Sequence, residues 1–371
     1  MALRSFRYLA SYSIVLLTAA CSSGGDGRER PNDGAGSGGS VSVGSGGSIS
    51  VDPGTTVDPS DTRMLPIRKK VCDDAGHCSC LRLALLGTLE SAAVNKDTKP
   101  FVDWLNGNSD GTATVTMVSS KPAVDANFLS QYDILLIANV NGWTFSAAER
   151  AAVEQWVRET GGGIISLTGF VSTDSEPAAT SQLIEFAGLH YQPPKAAENG
   201  QPVPVYYKGG TTDLKQCLGW SGSYDPATTA PIKFTPQTGS MAKLTFNLDY
   251  VGAFIGWGIG APAEATVVAK DPVSGANMAV AYEIDGKGRV FAFGDEWVVF
   301  KSQWLPQGNP NNQQMDQYNP CWVLPSGGAA GFFHSVQTIY QTKQFWFNAI
   351  NWVAPPNECN FVVKDPDVII R

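Results

Sequence analysis

Asp133-Ile134-Leu135-Leu136-Ile137-Ala138-Asn139-Val140 is a nearly unbroken aliphatic run of strand length. Without polar alternation, such a run suits a strand covered on both faces, as in a parallel sheet. Next comes Ser146-Ala147-Ala148-Glu149, a capping box: the Ser hydroxyl accepts an orphan N–H of the first turn while Glu reaches back to the cap. The helix it opens carries Ala152, Val153, Trp156 and Val157 on one face and stops at Gly161-Gly162-Gly163. Ile164-Ile165-Ser166-Leu167-Thr168 reads as the next strand.

The same alternation extends in both directions. Toward the N-terminus, Leu81 to Gly87 is a short apolar strand, Thr98 to Asn106 has helical spacing at Phe101, Trp104 and Leu105, and Thr112 to Ser119 is a second strand. Toward the C-terminus, Ser181 to Ala187 reads as helical, and Ala265–Lys270 and Met278–Ile284 as strands. Asp285-Gly286-Lys287-Gly288 turns into the strand Arg289 to Phe293. A final helix spans about Phe333 to Val353, stopped by Pro355-Pro356. The fold class expected is α/β, a doubly wound, mostly parallel sheet with helices on both faces.

Three of these stretches together resemble the class I glutamine-amidotransferase-like superfamily, nearest its trehalose-utilisation-type, non-amidotransferase branches. They are Tyr132 to Leu136, the capped helix through Gly161-Gly162-Gly163 to Ile165, and Gly286-Lys287-Gly288-Arg289-Val290-Phe291. The resemblance covers about Leu81–Leu189 and Ala263–Val353, leaving residues 190–262 and 301–331 as insertions. It implies a nucleophilic Cys in a Gly-x-Cys-x-Gly turn after the fourth strand, where backbone N–H groups stabilise an oxyanion. Here that stretch is Ile165-Ser166-Leu167-Thr168-Gly169, with Leu167 at the nucleophile position, and no Cys lies between Cys80 and Cys217. Thiol amidotransferase chemistry is thereby excluded. The superfamily's partner His, in a Phe-His-Pro-Glu setting, is echoed by Phe333-His334-Ser335-Val336 without the Pro and Glu. That makes His334 a candidate, with a helix-start His as the plainer account.

In an open α/β sheet, ligands bind at the C-terminal edge of the strands. Gly294-Asp295-Glu296-Trp297 closes a strand there. Asp295 and Glu296 are candidate acid/base groups; otherwise Asp295 caps the turn and Glu296 is solvated. A hydrolase needs a second carboxylate across the bond to be cleaved, and Glu90, Asp174 and Glu176 follow other strands. Asn141, Trp143, Thr168 and Trp297 are the expected ligand-binding residues. The insertions carry Tyr191, Tyr206, Tyr207, Trp220, Tyr224, Trp257, Trp304, Tyr318 and Trp322. They form either a lid on which sugar faces stack or small cores of the insertions themselves. Gly256-Trp257-Gly258-Ile259-Gly260 is not a dinucleotide loop, because Pro262 follows and no helix opens.

Arg4, Arg7 and the apolar stretch Tyr8–Ala20 read as a secretory signal, residues 1–20. Leu17-Thr18-Ala19-Ala20-Cys21 resembles a lipobox, with Cys21 as the lipidated residue, and Ser22 favours the outer membrane. Residues 21–67 are a Gly/Ser-rich tether, spanning some tens of Å at ~5–6 Å times the square root of residue number. Residues 68–371 are the folded domain. Six further cysteines in an exported chain imply disulfides. In the implied fold the last helix runs antiparallel to the strands, so Cys359 ends near Cys72, Cys78 or Cys80. The other two pair locally, and Cys217 pairs with Cys321 across the insertions. The formal charge of −8 argues against nucleic acid as a partner. The only histidines are His77, His190 and His334; no metal and no cofactor are expected. The sequence thus points to a lipid-anchored envelope protein that binds a glycan or an envelope protein without catalysis. A hydrolase acting on carbohydrate or a related polymer is the alternative.

Overall fold

The computed structural model describes residues 63–72, 74, 76, 78–87, 98–168, 175–192, 195–198, 201–203, 230–253, 256–271, 275–299 and 341–370. The expectations for the signal peptide, Cys21, most of the tether, His77, Glu90, Asp174, the Cys217–Cys321 pair and His334 lie outside these residues.

The central sheet has seven strands. They are β1 (Leu81–Leu86), β2 (Ala113–Val118), β3 (Ile134–Ile137), β4 (Gly163–Leu167), β5 (Thr266–Lys270), β6 (Asn277–Ile284) and β7 (Gly288–Phe293). Their order is β5-β6-β7-β4-β3-β1-β2. The pairs β1/β2, β1/β3, β3/β4 and β4/β7 are parallel, while β6 is antiparallel to both neighbours. The parallel part therefore runs 2-1-3-4-7, the flavodoxin-like order with an antiparallel extension. The chain is α/β and doubly wound.

Side-chain alternation sorts the two faces. Leu81, Leu83 and Leu85 of β1, with Ile165 and Leu167 of β4, join one buried cluster with helices α1 (Lys99–Asn108) and α5 (Thr342–Val353). Ala84 and Leu86, with Ile164, join the other, beneath α3 (Ala147–Thr160) and α4 (Ser175–Ser181). The short helix α2 (Ala126–Ser130) contributes Leu129 to that second cluster. The capping box of α3 is formed by Ser146 and Glu149, and Gly161 ends the helix at φ 73°, a left-handed position that suits glycine. Residues Ser181 to Ala187 are not one helix: α4 ends at Ser181, and Glu185–Ala187 is a separate 3₁₀ turn closed by Gly188. Ala179 of α4, Leu183 and Ile184 of the intervening turn, and Ala187 of the 3₁₀ turn all join the second cluster.

The last helix does run back to the strand starts. Its C-terminal neighbour Asn357 donates to the carbonyl of Cys80, and Cys80 is bonded to Cys359, with Cys72 bonded to Cys78. The tether ends earlier than residue 67. Arg63 is 7% exposed and donates to the carbonyls of Ala354 at 2.7 Å and Lys287 at 3.2 Å, so residues 63–67 belong to the folded body. No helix among the described residues is long and apolar enough to cross a membrane.

Candidate functional site

The register aligns the C-terminal strand ends. Ile137 lies beside Ser166, and Ser166 beside Ala292. The chain leaving β3 then presents Asn139, Asn141 and Trp143; that leaving β4 presents Thr168; that leaving β7 presents Gly294, Asp295 and Glu296. Four of the expected site residues thus lie at one edge with Glu296.

Two of them are tied directly. The backbone N–H of Glu296 donates to the carbonyl of Thr168 at 2.8 Å. Thr168 is fully buried, and among the described residues its Oγ1 has no hydrogen-bond partner. An unsatisfied buried hydroxyl costs about 1–3 kcal/mol.

Asp295 and Glu296 are each 2% exposed, so the expectation of a solvated Glu296 is overturned. The cause is the 3₁₀ turn Glu296–Val299. Val298 and Val299 are drawn into the core, and Trp346 Nε1 donates to the Val298 carbonyl at 2.9 Å. That pulls the whole turn inward. Gly294 sits where the backbone of Trp257 crosses, donating to the Met278 carbonyl and accepting from the Trp257 N–H, both at 2.8 Å. A Cβ there would strike the Trp257 carbonyl, so glycine is required. The side chain of Trp297 lies outside the described residues, as does that of Glu176 on α4.

Asn141 and Trp143 occupy the loop between β3 and α3. The Asn141 N–H donates to Asn139 Oδ1 at 3.3 Å, and the Trp143 N–H to the Val140 carbonyl at 2.9 Å. Trp143 is half-buried, edge-on to Phe145 with ring centroids 6.3 Å apart. It offers an accessible aromatic face beside amide side chains.

The nucleophile position is core. Leu167 is fully buried in the cluster beneath α5. Ser166, on the opposite face, is fully buried and shares a hydrogen bond with Tyr191, OH to Oγ 3.0 Å, while Tyr191 OH also lies 3.3 Å from the Phe293 carbonyl. Among the described residues the Ser166 hydroxyl is held by a phenol and not by a base of the kind nucleophilic attack needs. His190 is exposed, its ring over Gly260 on the ribbon His190–Gln192/Gly258–Gly260. That ribbon contains Gly258–Gly260, the end of the Gly256–Gly260 run, as a strand rather than a phosphate loop. Tyr191 and Trp257, read with the aromatic insertion, are 5% and 2% exposed and belong to the second core cluster instead of an open stacking surface. The Ser166–Tyr191 pair had no signal in the sequence, since it joins a strand to a residue beyond α4.

No protein-family model and no curated relative matches the chain. Among solved structures it is similar to the mmIFT52 N-terminal domain (TM-score 0.43, 12% identity, 63% of this chain and 93% of that one). It is also similar to a ThuA-like protein from Bacteroides uniformis (0.36, 10%, 74% and 91%). A glutamine amidotransferase from Thermotoga maritima is a third (0.36, 10%, 74% and 97%). Likenesses at this level carry no argument about activity; the fold rests on the strand order above.

Proposed function

We propose that this chain is a lipid-anchored envelope protein whose domain binds a polyhydroxylated ligand, carbohydrate being the favoured class, at the C-terminal edge of its sheet. The observation that carries the reading is Thr168 Oγ1, buried and without a hydrogen-bond partner among the described residues, beside the Asp295-Glu296 turn. A ligand hydroxyl would supply the missing hydrogen bond. Trp143 and Asn141 on the neighbouring loop offer the stacking face and the amide that sugar recognition uses. Because Thr168, Asp295 and Glu296 are covered, the ligand meets Trp143 first and reaches them only as the edge opens. Leu167 in the core argues against thiol catalysis.

A second reading, hydrolysis of a carbohydrate or related polymer, is favoured by one feature: two carboxylates at 2% exposure at the strand edge. Paired carboxylates in a covered site are the kind of groups that general acid and base roles employ.

Thermal melting of the protein with oligosaccharides and peptidoglycan fragments tests both. A bound ligand at a hundred times its Kd adds about 2.7 kcal/mol. The expected result is a shift with one of these probes that is lost in Thr168→Val and Trp143→Ala. Absence of any shift overturns the binding reading. Release of shortened products, abolished by Asp295→Asn or Glu296→Gln with the melting shift retained, would replace it with the hydrolase.

A further inference from the structure

The segment entering the folded body has two faces. Arg63, Leu65 and Arg68 turn inward: Arg63 onto the Ala354 and Lys287 carbonyls, Leu65 over Gly161, and Arg68 onto Thr160 and Asp133. These partners all stand at the N-terminal edge of the sheet, opposite the candidate site. Between the inward residues, Met64 is 92% exposed, Ile67 42% and Val71 48%. Lys69 and Lys70 are exposed beside them. Of the five large hydrophobic residues exposed among the described residues, three thus fall within Met64–Val71.

We propose that this face lies against an anionic phospholipid bilayer. Charge selects that occupant: the chain as a whole carries −8, yet Arg68-Lys69-Lys70 is its one basic cluster. Aliphatic side chains interleaved with lysines suit the headgroup boundary, where apolar groups insert and ammonium groups meet lipid phosphate. In sequence Asp58, Asp61, Asp73 and Asp74 flank the segment, and acidic groups also stand near it among the described residues. Glu358 accepts from the Lys70 N–H at 3.3 Å, and Asp74 is exposed in the adjoining hairpin. Residues 22–62 separate the patch from Cys21, so anchoring there would hold it at high local concentration near lipid. The inference rests on that anchoring reading. Its consequence is directional: the strand edge with Thr168 and Glu296 faces away from the bilayer.

The test is hydroxyl-radical footprinting, read by mass spectrometry, of the full chain reconstituted in vesicles of phosphatidylcholine with phosphatidylglycerol, or of phosphatidylcholine alone. Each lysine near an anionic surface is worth about fivefold in the apposed population, and two about thirtyfold. Labelling of Met64 and Ile67 is expected to fall in the anionic vesicles, and to recover in Lys69→Glu/Lys70→Glu and at high salt. Equal labelling in the two lipids, or protection that survives the charge reversal, overturns the proposal. Vesicle flotation scored in parallel reports anchoring itself. Loss of anchoring is therefore told apart from loss of apposition.

Discussion

The N–H of Glu296 donates to the carbonyl of Thr168 at 2.8 Å, stitching the end of β4 to the turn that follows β7. The β4/β7 ladder itself ends at Leu167 and Phe293, and this bond ties the chain just beyond it. It also brings an unsatisfied hydroxyl and two buried carboxylates into one neighbourhood. Pairing of this kind fixes the backbone through main-chain atoms and leaves Thr168 Oγ1 without a hydrogen-bond partner among the described residues.

Thr168→Val separates stability from function. Valine keeps the side-chain shape and removes a hydroxyl that has no partner among the described residues. The expected outcome is a protein at least as stable as wild type, by up to about 1 kcal/mol in urea titration, with its ligand-induced melting shift lost. A variant destabilised by 2 kcal/mol or more, on that same scale, would mean that the hydroxyl does structural work.

Leu167→Cys tests the vacancy of the nucleophile position. The residue lies in the core beneath α5, so a thiol there is predicted to stay inert. Thiol-reagent titration should detect no extra reactive group beyond wild type under native conditions, and one extra group in denaturant. Rapid native labelling would show that the position opens to solvent as a nucleophile turn does.

Glu149 gives the fold a pH signature. Burial pushes its carboxyl up, but hydrogen bonds from Lys121, from the Ser146 and Val124 backbone and from the Ser146 hydroxyl outweigh that, and hold it at about 2, below the ordinary 4.5. A depressed carboxyl contributes stability that is full above its unfolded pKa and is lost as pH falls through the folded one. Glu149→Gln should therefore cost about 1 kcal/mol near pH 7, as loss of a cap does. In urea melts the gap from wild type should shrink between pH 4.5 and 2. A gap that holds constant down to pH 2 would assign the cost to packing.

How far the sequence reached follows from the range of the interactions involved. The α3 capping box, the strands β1, β3 and β4 and the hairpin turn before β7 are set by neighbours within a few residues, so Ser146–Glu149 and Gly161 announce themselves. That the sheet is mostly parallel followed from the alternation of elements; its strand order did not. What stayed hidden is long-range. Glu296 is buried because Val298 and Val299 plug the core and Trp346 holds the turn. Tyr191 and Trp257 turn inward because their ribbon packs on the second cluster. Arg63 is held by carbonyls more than two hundred residues away in sequence. Composition alone assigned it to the tether.

The two disulfides should contribute unequally. Cys80–Cys359 closes a separation of 279 residues and ties the segment after α5 to the start of β1, whereas Cys72–Cys78 closes only 6. Loop-closure entropy grows with the logarithm of the loop, giving about 6 kcal/mol for the long bridge and about 2 kcal/mol for the short one. The paired variants Cys80→Ala/Cys359→Ala and Cys72→Ala/Cys78→Ala, compared by urea unfolding, are expected to fall in that order. The long bridge also holds Asn357 against the Cys80 carbonyl and lies near the Arg68–Asn357 bridge. Its removal should therefore raise amide exchange at residues 63–72 and 355–363 first, leaving β3 and β4 protected. Uniform loss of protection would mean that this corner and the sheet unfold as one unit. The reverse order of stabilities would show that strain or residual structure, rather than chain entropy, governs the bridges.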